Sequence, residues 1–403
     1  MKKLISSALV LCTLSLTTVA VFNSCSSDED TTITPNPSNV TIDPNNFKLA
    51  LKSGDKLVLD ASITYKMTGA VIVNNGAELT IPAGTKILCS GGTDTYVAVA
   101  QGGKIFINGT ASNPVVFTSA AATPKKADWG GIVICGKAPI NAGTTAASEV
   151  GGSLPYGGTV TDDNSGSITY TQIRWAGARF SASKEYNGLS LFGVGNGTKI
   201  DGVSVIDGAD DGIEFFGGTV NVSNIVSVNN DDDAFDWTEG WNGNATNIYA
   251  KRTAANVGNR GIEADNNANN NTLTPMSNPT IKNSTFIGFT TTDNEGAGTN
   301  LFRVGTGVTM DNVVFSGWAT AISIKDDATL VNLNGKGKFT NIKFDNVTTK
   351  AIANKSDIKN ADGTVTPGAS VEVLANTFVE NTAATGAGSG TATPSWATGW
   401  TGL

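Results

Sequence analysis

The chain has 403 residues, 47 of them glycine, and carries 35 acidic against 27 basic side chains. A net charge of −8 argues against nucleic acid or an anionic bilayer as a partner. Histidine is absent, which excludes every mechanism and every metal site that needs imidazole.

The amino terminus reads as an export signal. Lys2 and Lys3 precede an apolar run over residues 4–22, too short and too terminal for a spanning helix. The run ends in Phe22-Asn23-Ser24-Cys25. A small residue before such a cysteine is the arrangement in which the thiol is diacylated and residues 1–24 are removed, leaving Cys25 as the new N-terminus. Phe22 stands where leucine is more usual, so ordinary cleavage beside an incidental cysteine is the competing reading. Lipid on Cys25 would anchor the protein stably in the outer membrane. Loss of Lys2 and Lys3 takes the net charge from −8 to −10. The following Ser26-Ser27-Asp28-Glu29-Asp30 resembles the acidic tag that sends lipoproteins of Bacteroidota to the outward-facing leaflet; a solvated linker would look the same. Thr, Pro and Asn dominate the rest of the stretch to Asn46, which has no apolar period, so residues 25–46 are expected to be a tether and 47–403 the folded domain.

From there short apolar runs of three to six residues alternate with Gly, Asn, Asp and Thr, and no helical period is sustained. Val71-Ile72-Val73, Leu79-Thr80-Ile81 and Lys86-Ile87-Leu88 are followed by a second set at Val97-Ala98-Val99, Lys104 to Ile107 and Val115-Val116-Phe117. Three strands per unit and about 25 residues between like positions suit one turn of a triangular coil. Asp211-Gly212-Ile213-Glu214 repeats as Asp233-Ala234-Phe235-Asp236, 22 residues on. Arg260-Gly261-Ile262-Glu263, Thr320-Ala321-Ile322-Ser323 and Lys350-Ala351-Ile352-Ala353 continue the pattern, each with an apolar third residue expected to point inward. Sandwiches and propellers need tight hairpins, whereas these connections are irregular and the offset is steady. The fold class is therefore all-β, a single-stranded right-handed parallel β-helix. Residues 49–60 are expected to cap its first coil, and Trp396 and Trp400 its last. Cys89 and Cys135 lie in apolar strands and are expected to be buried small hydrophobes, not a disulfide.

Asp128-Trp129-Gly130-Gly131-Ile132, Tyr156-Gly157-Gly158 and the segment from Asp210 to Val220 resemble a family of exported, pectin-lyase-like β-helical proteins common in Bacteroidota. Asp232 to Trp237 and the closing Trp396 to Trp400 extend the resemblance over residues 50–403. It implies a fold and an exterior location and brings no activity with it. Surface lipoproteins of that lineage commonly work beside a TonB-dependent receptor in nutrient capture, so a receptor complex is an expected partner class.

Strand alternation turns Glu214, Asp236 and Glu263 outward as an acidic column, about 4.8 Å between coils. Carboxylates that close raise one another's pKa unless a cation intervenes. Asp211, Glu214, Asp233 and Asp236 are the candidate ligands for calcium, which takes six to eight oxygens; turn-forming aspartates accepting backbone N–H bonds are the alternative. Trp237, Trp241 and Trp175 are candidate stacking platforms for sugar rings, with Trp318 and Tyr249 behind them; large aromatics are as often core. The expected function is capture of an extracellular ligand, a glycan before a protein. The competing reading is a calcium-dependent polysaccharide lyase or hydrolase using Glu214, Asp236 and Glu263, with Arg260 as the candidate base and Arg174 and Arg252 as alternates.

Overall fold

Apolar residues at every second position give each short strand one face that must leave water. In the computed structural model those faces share one interior. The structure describes residues 38–149, 151–181, 184–255, 257–289 and 298–403. The export signal, Cys25 and the acidic tag lie outside the described residues. Among the described residues, 25 strands join in one sheet. Each strand pairs in parallel with its counterpart one turn on, except Thr349–Asn354 against Ser370–Val371, which is antiparallel. This is the right-handed parallel β-helix that the sequence pattern calls for.

The coil has three faces. Leu189–Phe192, Ile213–Phe216, Phe235–Thr238 and Glu263–Ala264 follow one another on the first. The 22-residue repeat is real register: Ile213 pairs with Phe235 and Glu214 with Asp236. The other two faces share long strands such as Lys199–Ile206, Asn221–Val228 and Asn244–Lys251, each bent once at its middle. The bends fall at Gly202, Asn224 and Asn247, with φ of 83°, 56° and 61°. Glycine and asparagine tolerate that left-handed conformation best. Their carboxamides then stack up the coil, Asn247 Nδ2 donating to Asn224 Oδ1 and Asn312 Nδ2 to Asn283 Oδ1, both at 2.9 Å. Asparagine at these corners thus sets the bend and ties one rung to the next.

Alternation fills the interior. Phe235–Thr238 buries Phe235 and Trp237 and leaves Asp236 and Thr238 partly outside. Phe215 stacks on Trp241 with ring centroids 3.8 Å apart. Cys89 lies in this core and Cys135 in a second one, both buried and unpaired as expected. Burial pushes the Cys135 thiol up to about 12.

The structure corrects four expectations. Residues 47–58 are the first rung rather than a cap, since Phe47–Leu51 and Lys56–Val58 pair in parallel with the next turn. Even part of the expected tether is packed: Val40 and Ile42 lie against the core, and Asn39 exchanges hydrogen bonds with Lys56 and Gly54. Trp396 and Trp400 do not close the far end. Residues 385–403 instead run back along the flank of the coil, where Tyr249 Oη, Ser204 Oγ, Gln172 Nε2 and Arg174 Nη2 donate in turn to the carbonyls of Thr391, Thr401, Trp400 and Gly402. This strap covers Ile206, Val226 and Val228, apolar residues on the outer side of their strands. Finally, Ile322 pairs with Ala351, so Ile352 falls on the outer side and is 37% exposed. One residue of slip reverses a strand's inside and outside.

A second layer covers the outer side of the first face. Residues 138–149 and 151–157 lay Ile140 and Tyr156 against Val133, Phe192 and Phe216; the Phe192 and Phe216 rings stack at 4.0 Å. The outward-facing acids next to this layer are therefore largely buried rather than displayed on a rim.

Candidate functional site

Ser190, Glu214, Asp236 and Glu263 occupy one outward row, each in register with the next. The turns before two of those strands carry Asp210-Asp211 and Asp232-Asp233, again 22 apart. Carboxylate oxygens of Asp211, Glu214 and Asp236 all lie within 4.8 Å of one another, and so do those of Asp210, Asp211 and Asp232. Glu214 and Asp236 keep partial exposure, so solvent still reaches them.

The fourth expected ligand, Asp233, is elsewhere. It is 1% exposed, and its Oδ1 accepts from the Arg260 backbone N–H at 2.6 Å. Here the turn chemistry wins, because the aspartate caps the next turn of backbone. Asp211 makes the same contact one turn earlier, its Oδ1 accepting from Asp233 N at 2.8 Å, and still faces the other acids.

Burial and mutual repulsion hold Asp211, Glu214 and Asp236 well above the usual carboxylate range. Next to burial, the Asp236 charge acts most on Glu214, and Glu263 acts most on Asp236. Burial, and next the Glu185 carboxyl hydrogen-bonded to it, push Asp210 up to about 9. Asn187 Nδ2 donates to Glu214 Oε2 at 2.6 Å. Yet Asn187 Oδ1, Asp236 Oδ1 and Ser190 Oγ are buried with no hydrogen-bond partner. Buried oxygens without donors cost on the order of 1–3 kcal/mol each. The row therefore collects oxygens that want either protons or a cation.

Glu263 does not belong to that set. Arg303 Nη2 pairs with it at 2.9 Å, and Arg303 Nε pairs with Asp265 at 2.9 Å. Arg303 is thus the cation acting on Asp236, whereas Arg260 acts on Asp233. The carboxylates raise Arg303 further above its ordinary value, the opposite of what a base needs. Sequence reasoning missed Arg303 because it missed the strand Thr299–Phe302 before it. Leu301-Phe302 was the apolar signal that could have found it.

The aromatic candidates move inside. Trp237 and Trp241 are both 0% exposed; their indole N–H groups donate to Thr306 Oγ1 and to the Val220 carbonyl. Trp318 and Tyr249 are buried as well. In all four cases the ring fills space that a polar face could not. Trp175 alone of the three named platforms keeps some surface. An exposed aromatic that sequence reasoning passed over is Phe180, 60% exposed in Arg179–Ser181, which pairs antiparallel with Lys184–Glu185. Glu185 bonds Asp210 and pairs with Arg179.

A family model described as a pectate-lyase-like β-helix domain matches residues 51–401. The chain belongs to this family. No curated protein sequence matches this pectate-lyase-like chain. Two solved tailspike structures are similar in part. The enzymatically active domain of tailspike protein 2 from bacteriophage CBA120 is 15% identical, covering 72% of this chain and 39% of that one, with a TM-score of 0.25. The Dettilon tailspike is 12% identical, covering 73% and 62%, with a TM-score of 0.21. The pectate-lyase-like chain thus spans less than two thirds of either.

Proposed function

We propose that the protein captures an extracellular glycan in the groove over Asp211, Glu214 and Asp236, through a calcium-like cation held by those acids. The observation that carries this is the trio of mutually raised carboxylates beside Asp236 Oδ1 and Asn187 Oδ1, which no donor satisfies. An oxygen-only donor set suits a hard cation. Three carboxylates leave coordination positions for water or sugar oxygens, and an anionic sugar would complete the charge balance. Phe180, exposed on the strand that pairs with Lys184–Glu185, offers a ring face to a pyranose. Acylation at Cys25 would hold the groove at the cell exterior, where a receptor partner could take the ligand on.

A second reading, cleavage of the bound glycan, rests on Glu214. Its raised pKa keeps a proton on a carboxyl beside Asp236, as a hydrolase's general acid requires. Elimination chemistry is disfavoured, because the guanidinium at Asp236 is held charged by two carboxylates.

Calorimetric titration of calcium into the full chain tests the proposal, alongside a Glu214→Gln/Asp236→Asn double variant. Heat in the parent that the double variant lacks supports it, and calcium-dependent retention on a glycan array then names the sugar. No heat in either protein, with glycan retention indifferent to chelator, overturns it. Reducing ends released from the retained glycan would favour the second reading. Incorporation of labelled palmitate that Cys25→Ala abolishes tests the anchor, and labelling that survives the change overturns it.

A further inference from the structure

The acids of the groove form two groups, not one, and Asp211 belongs to both. One is Asp211, Glu214 and Asp236; the other is Asp210, Asp211 and Asp232. The arrangement follows from the register. Asp210 and Asp232 sit at the same corner of consecutive rungs, and Glu214 and Asp236 lie further along the strands that leave that corner.

Each group has its own buried asparagine. Asn187, 2% exposed, donates through Nδ2 to Glu214 Oε2 at 2.6 Å, and its Oδ1 has no partner. Asn259, 8% exposed, donates through Nδ2 to Asp232 Oδ1 at 2.8 Å, and its Oδ1 also has no partner. Two carboxamides stand in the same relation to two acid groups, each touching a carboxylate with its nitrogen and leaving its oxygen unmet. A turn that merely capped backbone would not strand these oxygens. The charge count points the same way. Asp210, Asp211, Glu214, Asp232 and Asp236 are five carboxyls in adjoining positions, and one divalent cation would offset fewer than half of them.

We infer that Asp211 bridges two hard divalent cations, one held with Glu214, Asp236 and Asn187, the other with Asp210, Asp232 and Asn259. The inference rests on the cation reading of the first group and adds the second. All donors are oxygen, so the ions are of the calcium or manganese class, not the zinc of thiolate and imidazole sites. Each set supplies about four oxygens where calcium takes six to eight, leaving open positions on both ions for a ligand that bridges them. Two acidic oxygens of one anionic sugar chain would fit that demand.

The test is ion stoichiometry on the full chain after chelation, read by calcium calorimetry and by manganese electron paramagnetic resonance. Two ions per chain are expected in the parent, one in Asp236→Asn and one in Asp232→Asn. The saturated parent should give an exchange-broadened manganese signal, and each single variant an isolated six-line spectrum. Asn259→Ala, which leaves every carboxylate in place, should weaken one ion by about tenfold and spare the other; far-UV circular dichroism checks that each variant folds. A single ion that Asp236→Asn removes and Asp232→Asn leaves untouched overturns the second site while the first stands. Two ions without magnetic coupling overturn the bridge. No ion at all overturns this inference and the cation reading under it together.

Discussion

Glu149 lies on the segment that covers the groove, and its substitution by glutamine gives a pH-dependent gain in stability. Burial raises this carboxyl from 4.5 to about 7; Lys184 opposes the rise, while Glu239 and Glu185 add to it. The sign follows from linkage. Below pH 4.5 the folded and unfolded chains both hold the proton, and the group is neutral in the balance. Between 4.5 and 7 the unfolded chain releases it and the folded chain retains it, so stability falls as pH rises. At about 1.4 kcal/mol per pH unit the full loss is about 3 kcal/mol, and residual solvent access to Glu149 brings it nearer 2. Glutamine keeps the shape and cannot ionise. Glu149→Gln should match the parent at pH 4 and exceed it by about 2 kcal/mol at pH 8. Urea unfolding midpoints in chelator, taken for both proteins at both pH values, measure this. An equal offset at the two pH values, or a less stable variant at pH 8, would refute the placement of Glu149 in a desolvated acidic groove.

Other perturbations separate core from surface. Trp241→Ala empties the ring site stacked on Phe215 and should cost about 3–5 kcal/mol in thermal or urea unfolding. Phe180→Ala should leave the melt within about 0.5 kcal/mol and weaken glycan retention several-fold; unchanged retention would remove Phe180 from the site. Asn247→Ala puts a residue without asparagine's tolerance of the left-handed region at φ 61° and breaks the bond to Asn224, a cost of about 1–2 kcal/mol. Asn247→Gly should recover part of it, and equal losses would argue against the backbone explanation. Deleting residues 385–403 should uncover Ile206, Val226 and Tyr249. A dye that fluoresces on apolar surface should then brighten while far-UV circular dichroism keeps its strand signal; collapse of that signal would make the strap part of the fold's foundation.

The coil was legible because its cause is local and repetitive. Alternation states which residues turn inward, and a repeat of 22 residues states which residues stack, so Glu214 over Asp236 follows from spacing alone. The same logic placed Cys89 and Cys135 in apolar surroundings. It failed where a strand was too short to show a period, as at Thr299–Phe302, and with that strand went Arg303 and its pairs with Glu263 and Asp265. It failed too at Ile352, where a one-residue shift carried the side chain outside.

By itself, then, the sequence determined the coil, its register through the acidic rungs and the row on which the acids stand, because each follows from the spacing of neighbours along one strand. Tertiary structure alone decided what covers those rungs. The covering segment with Ile140 and Tyr156 and the returning strap 385–403 come from distant parts of the chain, and nothing in a strand's own pattern says whether its outer face meets water or another segment. That difference turns an exposed column of carboxylates into a desolvated row. Desolvation depends on every atom within several ångströms, whatever its place in the sequence.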